Sequence, residues 1–179
     1  MTIDVTFPSE QQLGSSPNLF DIGIVDGCET EAYDRFTRLT TLTIDVPISL
    51  ISIVQEEKDR QFFTSQIGLP AVWAEKRQIP LSHSFCRLVK RDNCPLIVED
   101  ASDDTRVREN LAIPDLGVRA YLGVPIHDAL NDPIGALCAV QSSPRSWTPA
   151  DIEILLSYAA CVDEQTRLQT ALLVHTMSC

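Results

Sequence analysis

The apolar residues of this chain recur first with a helical period. From Thr30, apolar residues and threonines are spaced by three and four positions, and the pattern stops before Pro47. A proline disfavours the helical conformation in the residue before it, so the helix should end there. This spacing predicts a first helix that begins at Thr30.

Five later segments have the composition or the alternation of β-strands. The segment 46–54 (VPISLISIV) is apolar on both faces, which predicts a central strand, and 60–68 alternates and ends at a glycine. A polar break separates these two segments, so they predict a hairpin. The other three strands are expected at 96–100, 119–128 and 133–141, the last two joined by an Asn-Asp-Pro turn.

The segment 146–175 carries the signals of a helix start. Thr148 can cap the helix, Pro149 suits the first helical position, and Asp151 favours the positive end of the helix dipole. The predicted apolar face consists of Ile152, Leu155, Leu156, Ala159, Val162, Thr166 and Leu173. Further apolar residues at Leu168, Ala171 and Leu172 lie on other sides of the helix and require a cover. A helix of a second subunit or the first helix could provide it, and we favour a helical dimer.

The order of these elements predicts an α+β fold. An antiparallel sheet would have the terminal helices on one face and the irregular 69–118 region over the other face. A roof of loops and short helices encloses a cavity more readily than a regular layer does, and such cavities commonly bind small molecules. Residues 1–28 look like a flexible leader that docks at most through Leu19, Phe20 and Ile22, and residues 29–179 form a single domain.

Charge and composition exclude several classes of partner. The net charge of −11 repels polyanions, and no run of lysine and arginine offsets it, so we expect no nucleic acid partner. The N-terminus lacks the pattern of a signal peptide, and the longest apolar stretches are too short to cross a bilayer. We therefore expect a cytoplasmic protein with reduced thiols, since six scattered cysteines form no Cys-x-x-Cys motif.

The segment 79–89 (IPLSHSFCRLV) concentrates polar and reactive side chains. A helix from Leu81 to Lys90 would make His83 and Cys86 neighbours on its surface. A catalytic pair is then possible, but the sequence shows no third residue, at a recognisable spacing, that would orient the histidine. A zinc site is also possible, but His83, Cys86 and Cys94 supply three ligands where a structural site uses four. We favour packing by Phe85 and Cys86, with direct ligand contact as the second interpretation and Ser84 as a lining or capping residue.

Outside that segment, a few more residues are candidates for a binding or a structural role. Arg119 could bind an anionic ligand, although we favour an internal ion pair with Asp100. The acidic cluster Asp100, Asp103 and Asp104 is interpreted as a solvated turn rather than a cation site. Phe63 and Trp73 are candidate pocket aromatics. Arg145 and Trp147 should anchor the entry into the last helix.

Five segments, taken in order, carry a family resemblance: RQFFTSQIGLP, IPLSHSFCRLV, PLIVEDASDDTRVREN, LGVRAYLGVPI and PIGALCAVQSSPRSWTPADIEILLSYA. Together they resemble a GAF domain of the type found in bacterial histidine kinases and cyclic-di-GMP enzymes, and the likeness runs from about Tyr33 to Leu168. The resemblance implies a six-stranded antiparallel sheet, terminal helices on one side and a ligand-sized pocket on the other. The Cys-His dipeptide that attaches bilin in photoreceptor GAF domains is absent from the chain.

The resemblance implies a non-catalytic sensory or regulatory module without a metal or a resident cofactor. An unidentified small molecule would bind in a pocket and signal through a homodimer of the terminal helices to a separate output protein, such as a histidine kinase or diguanylate cyclase. The alternatives are a redox enzyme of the free methionine-R-sulfoxide reductase type, using Cys86 with Cys94, and a pure dimerisation scaffold. The candidate pocket residues are Phe63, Trp73, His83, Ser84, Phe85, Cys86, Asp100, Arg119 and Tyr121.

Overall fold

A computed structural model describes residues 19, 21–27 and 31–177 of the chain. The helices are α1 (Glu31–Ile44), α2 (Ala71–Lys76), α3 (Cys86–Asp92), α4 (Ala112–Leu116) and α5 (Pro149–Met177). The strands are β1 (Ile48–Gln55), β2 (Arg60–Ile67), β3 (Gln78–Pro80), β4 (Leu96–Val98), β5 (Ala120–His127) and β6 (Pro133–Gln141). The predicted α+β fold class is confirmed.

The strands form one six-stranded sheet in the order β3-β2-β1-β6-β5-β4, and neighbouring strands are antiparallel. The five strands predicted from the sequence are all present, and β1 is central, as its two apolar faces indicated. The sixth, β3, was expected only from the resemblance. It has three residues, one of which is Pro80, and it lies at the edge of the sheet, where a proline is tolerated.

Alternation along the strands divides the core into two layers. On one face, which we name the helix face, Ile51, Leu122 and Leu137 belong to a cluster with α1 and α5. From α5 the cluster includes Leu155 and Val162. Because successive side chains of a strand point to opposite faces, the residues between them belong to the other layer.

That other side, the pocket face, carries its own apolar cluster. From the sheet it includes Leu50, Phe63, Tyr121, Cys138 and Val140. The segments 81–95 and 99–118 supply the opposite side of the cluster, with buried residues Leu81, Phe85, Cys86, Val89, Ala101, Val107, Ala112 and Val118. These two segments are named the roof, and they occupy the place that the sequence predicted for the irregular region.

The structure corrects the helix that was predicted from Leu81 to Lys90. Residues Leu81–His83 form a short 3₁₀ helix, Ser84 is extended, and α3 begins only at Cys86. The extended residue lies between His83 and Cys86, so the two side chains do not share one helix surface. The prediction that they are neighbours on one helix was therefore wrong, although both line the same cavity.

The entry into α5 agrees with the sequence analysis. Thr148 Oγ1 accepts a hydrogen bond from the Asp151 amide, and Asp151 Oδ2 accepts one from the Thr148 amide, at 3.1 and 2.9 Å. Arg145 donates to the Ile44 carbonyl at 2.6 Å, and Trp147 donates to the Val98 carbonyl at 3.0 Å. These bonds tie α5 to the end of α1 and to β4. One residue of the predicted apolar face, Leu156, is exposed.

The predicted leader falls partly outside the described residues, which exclude 1–18 and Phe20. Leu19 and Ile22 pack against the helix-face cluster, as expected. Ile24 and Val25 are buried more completely, which the sequence analysis did not foresee.

In the described ranges, none of the helices combines the length and the apolar character that a bilayer crossing requires.

Candidate functional site

A cavity of about 40 Å³ lies between the pocket face and the roof. A cavity needs roughly 10–15 Å³ to hold one water molecule, whereas ligand pockets usually measure about 300–1,000 Å³. The cavity therefore accommodates a few atoms, and a larger molecule requires the roof to move outward. Its lining residues are Ile48, Leu50, Gln61, Phe63, Leu69, Ile79, His83, Phe85, Cys86, Ala112, Leu116, Val118, Tyr121 and Val140.

The most polar group in this lining is the carboxamide of Gln61, a residue that the sequence analysis did not select. Gln61 lies on β2 next to the edge strand and is 2% exposed. Its Oε1 has no hydrogen-bond partner among the described residues. A buried acceptor without a donor costs about 1–3 kcal/mol, so this carboxamide has an unmet capacity for a hydrogen bond at the cavity.

The His83 imidazole also borders the cavity and is held in place from both sides. Its Nδ1 lies 2.9 Å from Ser82 Oγ, and its Nε2 lies 2.9 Å from Asp115 Oδ2. The Trp73 ring packs against it with the ring centroids 5.9 Å apart. Asp115 is thus the orienting group that the sequence could not identify. Both ring nitrogens therefore have partners, and Cys86 is neither of them.

The Cys86 thiol faces the sheet instead of His83. Ser52 Oγ and Tyr121 Oη each lie 3.2 Å from its Sγ, and Cys138 belongs to the same buried pocket-face cluster. The interaction with the neighbouring Cys138 thiol is the main reason that the pKa of the Cys86 thiol is lowered to about 7, although burial acts in the opposite direction. The same interaction, reinforced by burial, raises the pKa of Cys138 well above its ordinary value.

The structure brings five of the nine predicted pocket residues together in the cavity lining: Phe63, His83, Phe85, Cys86 and Tyr121. Ser84 is buried, and its Oγ accepts a hydrogen bond from the Arg87 amide at the start of α3. Trp73 packs against the pocket-face cluster.

The two predicted charged pocket residues lie outside the lining. Arg119 binds both carboxylate oxygens of Asp100, at 3.0 and 2.8 Å from its Nη2, so the favoured interpretation as an internal ion pair is confirmed. Asp100 also accepts a hydrogen bond from the Ser102 amide. These two side chains fix the loop after β4 to the start of β5.

Cys94, which was considered as a partner for Cys86, lies elsewhere. It is exposed beyond the end of α3 and lines a separate surface recess of about 240 Å³ with Arg91 and Arg106. The structure therefore does not bring Cys86 and Cys94 together. In the part of the chain that the structure describes, no cluster of three or more histidine, cysteine or acidic residues could hold a metal ion.

A two-layered core around a six-stranded antiparallel sheet, with terminal helices on one face and a roofed cavity on the other, is the arrangement that the resemblance implied. The sequence profile of the GAF domain family matches residues 29–162. The chain belongs to the GAF domain family. No curated protein matches the chain.

Solved structures share this fold at low sequence identity. The GAF domain of a phosphoenolpyruvate-protein phosphotransferase from Acinetobacter is 19% identical, with 82% of this chain and 84% of that chain covered and a TM-score of 0.60. Free methionine-R-sulfoxide reductase from Neisseria meningitidis, solved with its substrate, is 16% identical, with coverages of 86% and 88% and a TM-score of 0.62. The phycocyanobilin-bound GAF domain of a cyanobacterial phytochrome is 15% identical, with coverages of 78% and 86% and a TM-score of 0.58.

Proposed function

We propose that this GAF domain is a non-catalytic sensory module that binds a small molecule in the cavity beneath the roof. The observation that carries the proposal is the Gln61 carboxamide, which is buried at the cavity with an acceptor that has no partner among the described residues. A ligand that donates one hydrogen bond would satisfy it. Because ten of the thirteen other lining residues are apolar, the ligand is an uncharged and mostly apolar molecule.

Binding of anything larger than a few atoms requires the roof region to open, and its short helices are weakly held. Helix α2, which adjoins the roof, has no buried residue, and α4 has one, Ala112. Segments with few buried apolar contacts open at low free energy. We infer that α2 and α4 move outward when the ligand enters, while α3 remains packed on the sheet through Val89.

The signal would leave through α1 and α5, which pack side by side on the helix face. Tyr33 Oη, at the start of α1, donates a hydrogen bond to Gln169 Oε1 of α5 at 2.6 Å. Exposed apolar residues on both helices, Leu42, Leu168, Leu172 and Met177, support a homodimer through these helices. A ligand changes the dimer only if it binds two helix arrangements with different affinity.

A separate output protein, such as a histidine kinase or a diguanylate cyclase, would receive the signal from the helices in the cytoplasm. The net charge of −11 favours a protein partner over a nucleic acid. In this proposal neither a metal nor a resident cofactor takes part.

A redox enzyme is the second candidate function, because a methionine-R-sulfoxide reductase shares the fold and the pKa of Cys86 is lowered. The separation of Cys86 from Cys94 argues against the thiol pair that this function was expected to use. A methionine sulfoxide turnover assay decides between the two functions. Turnover that is lost in Cys86→Ser and in Cys94→Ser would support the enzyme, and no turnover in the unmodified chain supports the sensor.

The sensor itself is tested by native mass spectrometry of the purified full chain beside Gln61→Leu and Gln66→Leu. Gln66 lies on the same strand, is only partly buried and serves as the matched control. We expect a co-purified small molecule on the unmodified chain and on Gln66→Leu, and at least about a tenfold lower occupancy on Gln61→Leu, which corresponds to roughly 1.4 kcal/mol.

Equal occupancy in all three proteins would remove Gln61 from the recognition site. A bare polypeptide mass in all three, together with a Gln61→Leu variant that is more stable by about 1 kcal/mol, would support the dimerisation scaffold instead. In that case the substitution only removes a buried acceptor that nothing satisfies.

A further inference from the structure

We propose that Cys86 and Cys138 form a peroxide-sensitive thiol pair, in which Cys86 reacts first and Cys138 closes a disulfide between α3 and β6. The inference does not depend on a cavity ligand. It rests on the arrangement of two thiols that lie far apart in the sequence and that the fold places in one buried cluster around the Tyr121 hydroxyl.

The position of Cys138 is set by the register of the sheet. Cys138 is opposite Gly123 of β5 and Leu50 of β1, and its side chain belongs to the pocket-face cluster. The Tyr121 ring lies over Gly123, and its hydroxyl reaches Cys86 Sγ at 3.2 Å. The Tyr121 hydroxyl thus brings the Cys86 thiol next to the strand position that faces Cys138.

The two thiols differ in their readiness to react with an oxidant. The thiolate is the reactive form of cysteine, and the Ser52 and Tyr121 hydroxyls, each 3.2 Å from the sulfur, stabilise it at Cys86. The pKa of Cys138 is shifted in the opposite direction, so this thiol stays protonated while Cys86 ionises. A reactive thiol next to a second, resolving thiol is the arrangement of a redox-sensitive site.

Access to Cys86 is through the cavity and is restricted by size. Cys86 lines the cavity, and Cys138 lies outside the lining. The volume of about 40 Å³ exceeds the roughly 10–15 Å³ that one water molecule needs, so hydrogen peroxide fits. A tripeptide disulfide such as oxidised glutathione does not fit. The site therefore selects a small peroxide over a bulky oxidant.

The chemistry balances with hydrogen peroxide as the oxidant. The Cys86 thiolate attacks one peroxide oxygen, the O–O bond breaks, and the departing hydroxide takes up a proton to become water. The Cys138 sulfur then attacks the Cys86 sulfenic acid, the S–O bond breaks, the S–S bond forms, and a second water is released with the proton of Cys138. Two thiols and one peroxide thus give one disulfide and two waters, and a dithiol reductant reverses the change.

The decisive measurement uses a full chain in which Cys28, Cys94, Cys161 and Cys179 are all replaced by serine, so that only the proposed pair remains. After treatment with hydrogen peroxide, peptide mapping without reduction should find the peptides of Cys86 and Cys138 linked, with a mass lower by about 2 Da than their sum. Oxidised glutathione should leave both thiols free. Circular dichroism compares the folds of the variant and of the unmodified chain.

Two single substitutions in the same background establish the roles. In Cys138→Ser, Cys86 should stop at the sulfenic acid, which dimedone traps, whereas in Cys86→Ser the remaining thiol should stay unmodified. The proposal is overturned if peroxide leaves both thiols reduced, or if dimedone labels Cys138 in Cys86→Ser as fast as it labels Cys86 in Cys138→Ser. Mapping of the oxidised unmodified chain checks the result without any substitution, and a Cys86–Cys94 link there would also contradict the proposal.

Discussion

The Tyr121 hydroxyl lies over Gly123, two residues further along the same strand. A Cβ atom at position 123 would come within 2.2 Å of the hydroxyl oxygen and 2.5 Å of the ring carbon that carries it. The glycine therefore gives the Tyr121 ring the space it needs to lie along β5 and to reach Cys86 at 3.2 Å.

We expect Gly123→Ala to displace the Tyr121 ring and to lower the free energy of unfolding by roughly 1–3 kcal/mol, as overpacking in a core does. Urea denaturation measures the change. In a Tyr121→Ala background the same substitution should cost much less, because the atom that it meets is gone. An equal cost in both backgrounds would show that the clash lies with another group.

The ion pair between Arg119 and Asp100 predicts a dependence of stability on pH. The hydrogen bond from Arg119 lowers the pKa of Asp100 below its ordinary value of 3.8. A carboxylate with a lowered pKa stabilises the fold above its ordinary pKa, and this contribution is lost as the pH falls through the lowered value.

Arg119→Met should therefore be less stable than the unmodified chain at about pH 7, and the difference should shrink as the pH falls below the ordinary carboxyl pKa of 3.8. Urea denaturation at several pH values provides the measurement. Arg108→Met, on an exposed part of the preceding loop, is the control and should show no such convergence. A stability difference for Arg119→Met that stays constant with pH would show that packing, not charge, is responsible.

The Asp163 carboxylate ties α5 to the end of β5. It accepts hydrogen bonds from the His127 backbone amide at 2.7 Å and pairs with His127 Nδ1 at 2.9 Å. His127 Nε2 in turn lies 2.8 Å from the Asn93 side-chain oxygen, beyond α3. Because Asp163 is buried, Asp163→Ala should cost about 2 kcal/mol of unfolding free energy.

Hydrogen exchange should also show faster exchange in the middle of α5 in this variant. The neighbouring Glu164→Ala removes an exposed carboxylate and should change stability by no more than about 0.5 kcal/mol. Equal effects of the two substitutions would mean that Asp163 contributes no more than a surface charge.

The proposed dimer predicts a change in mass upon a single substitution. Leu172 on α5 is 67% exposed, and Leu130 on the loop between β5 and β6 is 58% exposed. Leu172→Glu should convert the dimer to a monomer in analytical ultracentrifugation, whereas the equally polar Leu130→Glu should not. If both variants keep the mass of the unmodified chain, the terminal helices are not the interface.

Local patterns were sufficient to predict most of the fold. The alternation in β2 and the cap at Thr148 depend on neighbouring residues, and the structure confirms the strand and the cap. The helix across Leu81–Lys90 was wrong because contacts distant in sequence interrupt it: the Ser82 carbonyl accepts a hydrogen bond from the Leu111 amide. Strand β3 has three residues and is defined only by its pairing with β2, which no local pattern indicates.

The candidate site was predicted only in part, because some of its residues are brought together by contacts that are distant in sequence. Phe85 and Cys86 stood out because reactive and aromatic residues are concentrated in one segment. Gln61 and Cys138 belong to strands that were predicted, but their positions opposite the roof depend on the register of β1, β2 and β6. Alternation alone places Gln61 on the same face as Phe63, and this signal could have identified it.

The two layers of the core are separated by the thickness of a single strand. In β6, Cys138 faces the pocket layer, while the residues on either side of it, Leu137 and Ala139, pack in the helix-face cluster. A small twist of this strand therefore changes two surfaces at the same time: the pocket face, which borders the cavity, and the helix face, on which α1 and α5 pack. A change in one layer of the core therefore reaches the other layer through the backbone of β6, without a chain of side-chain contacts.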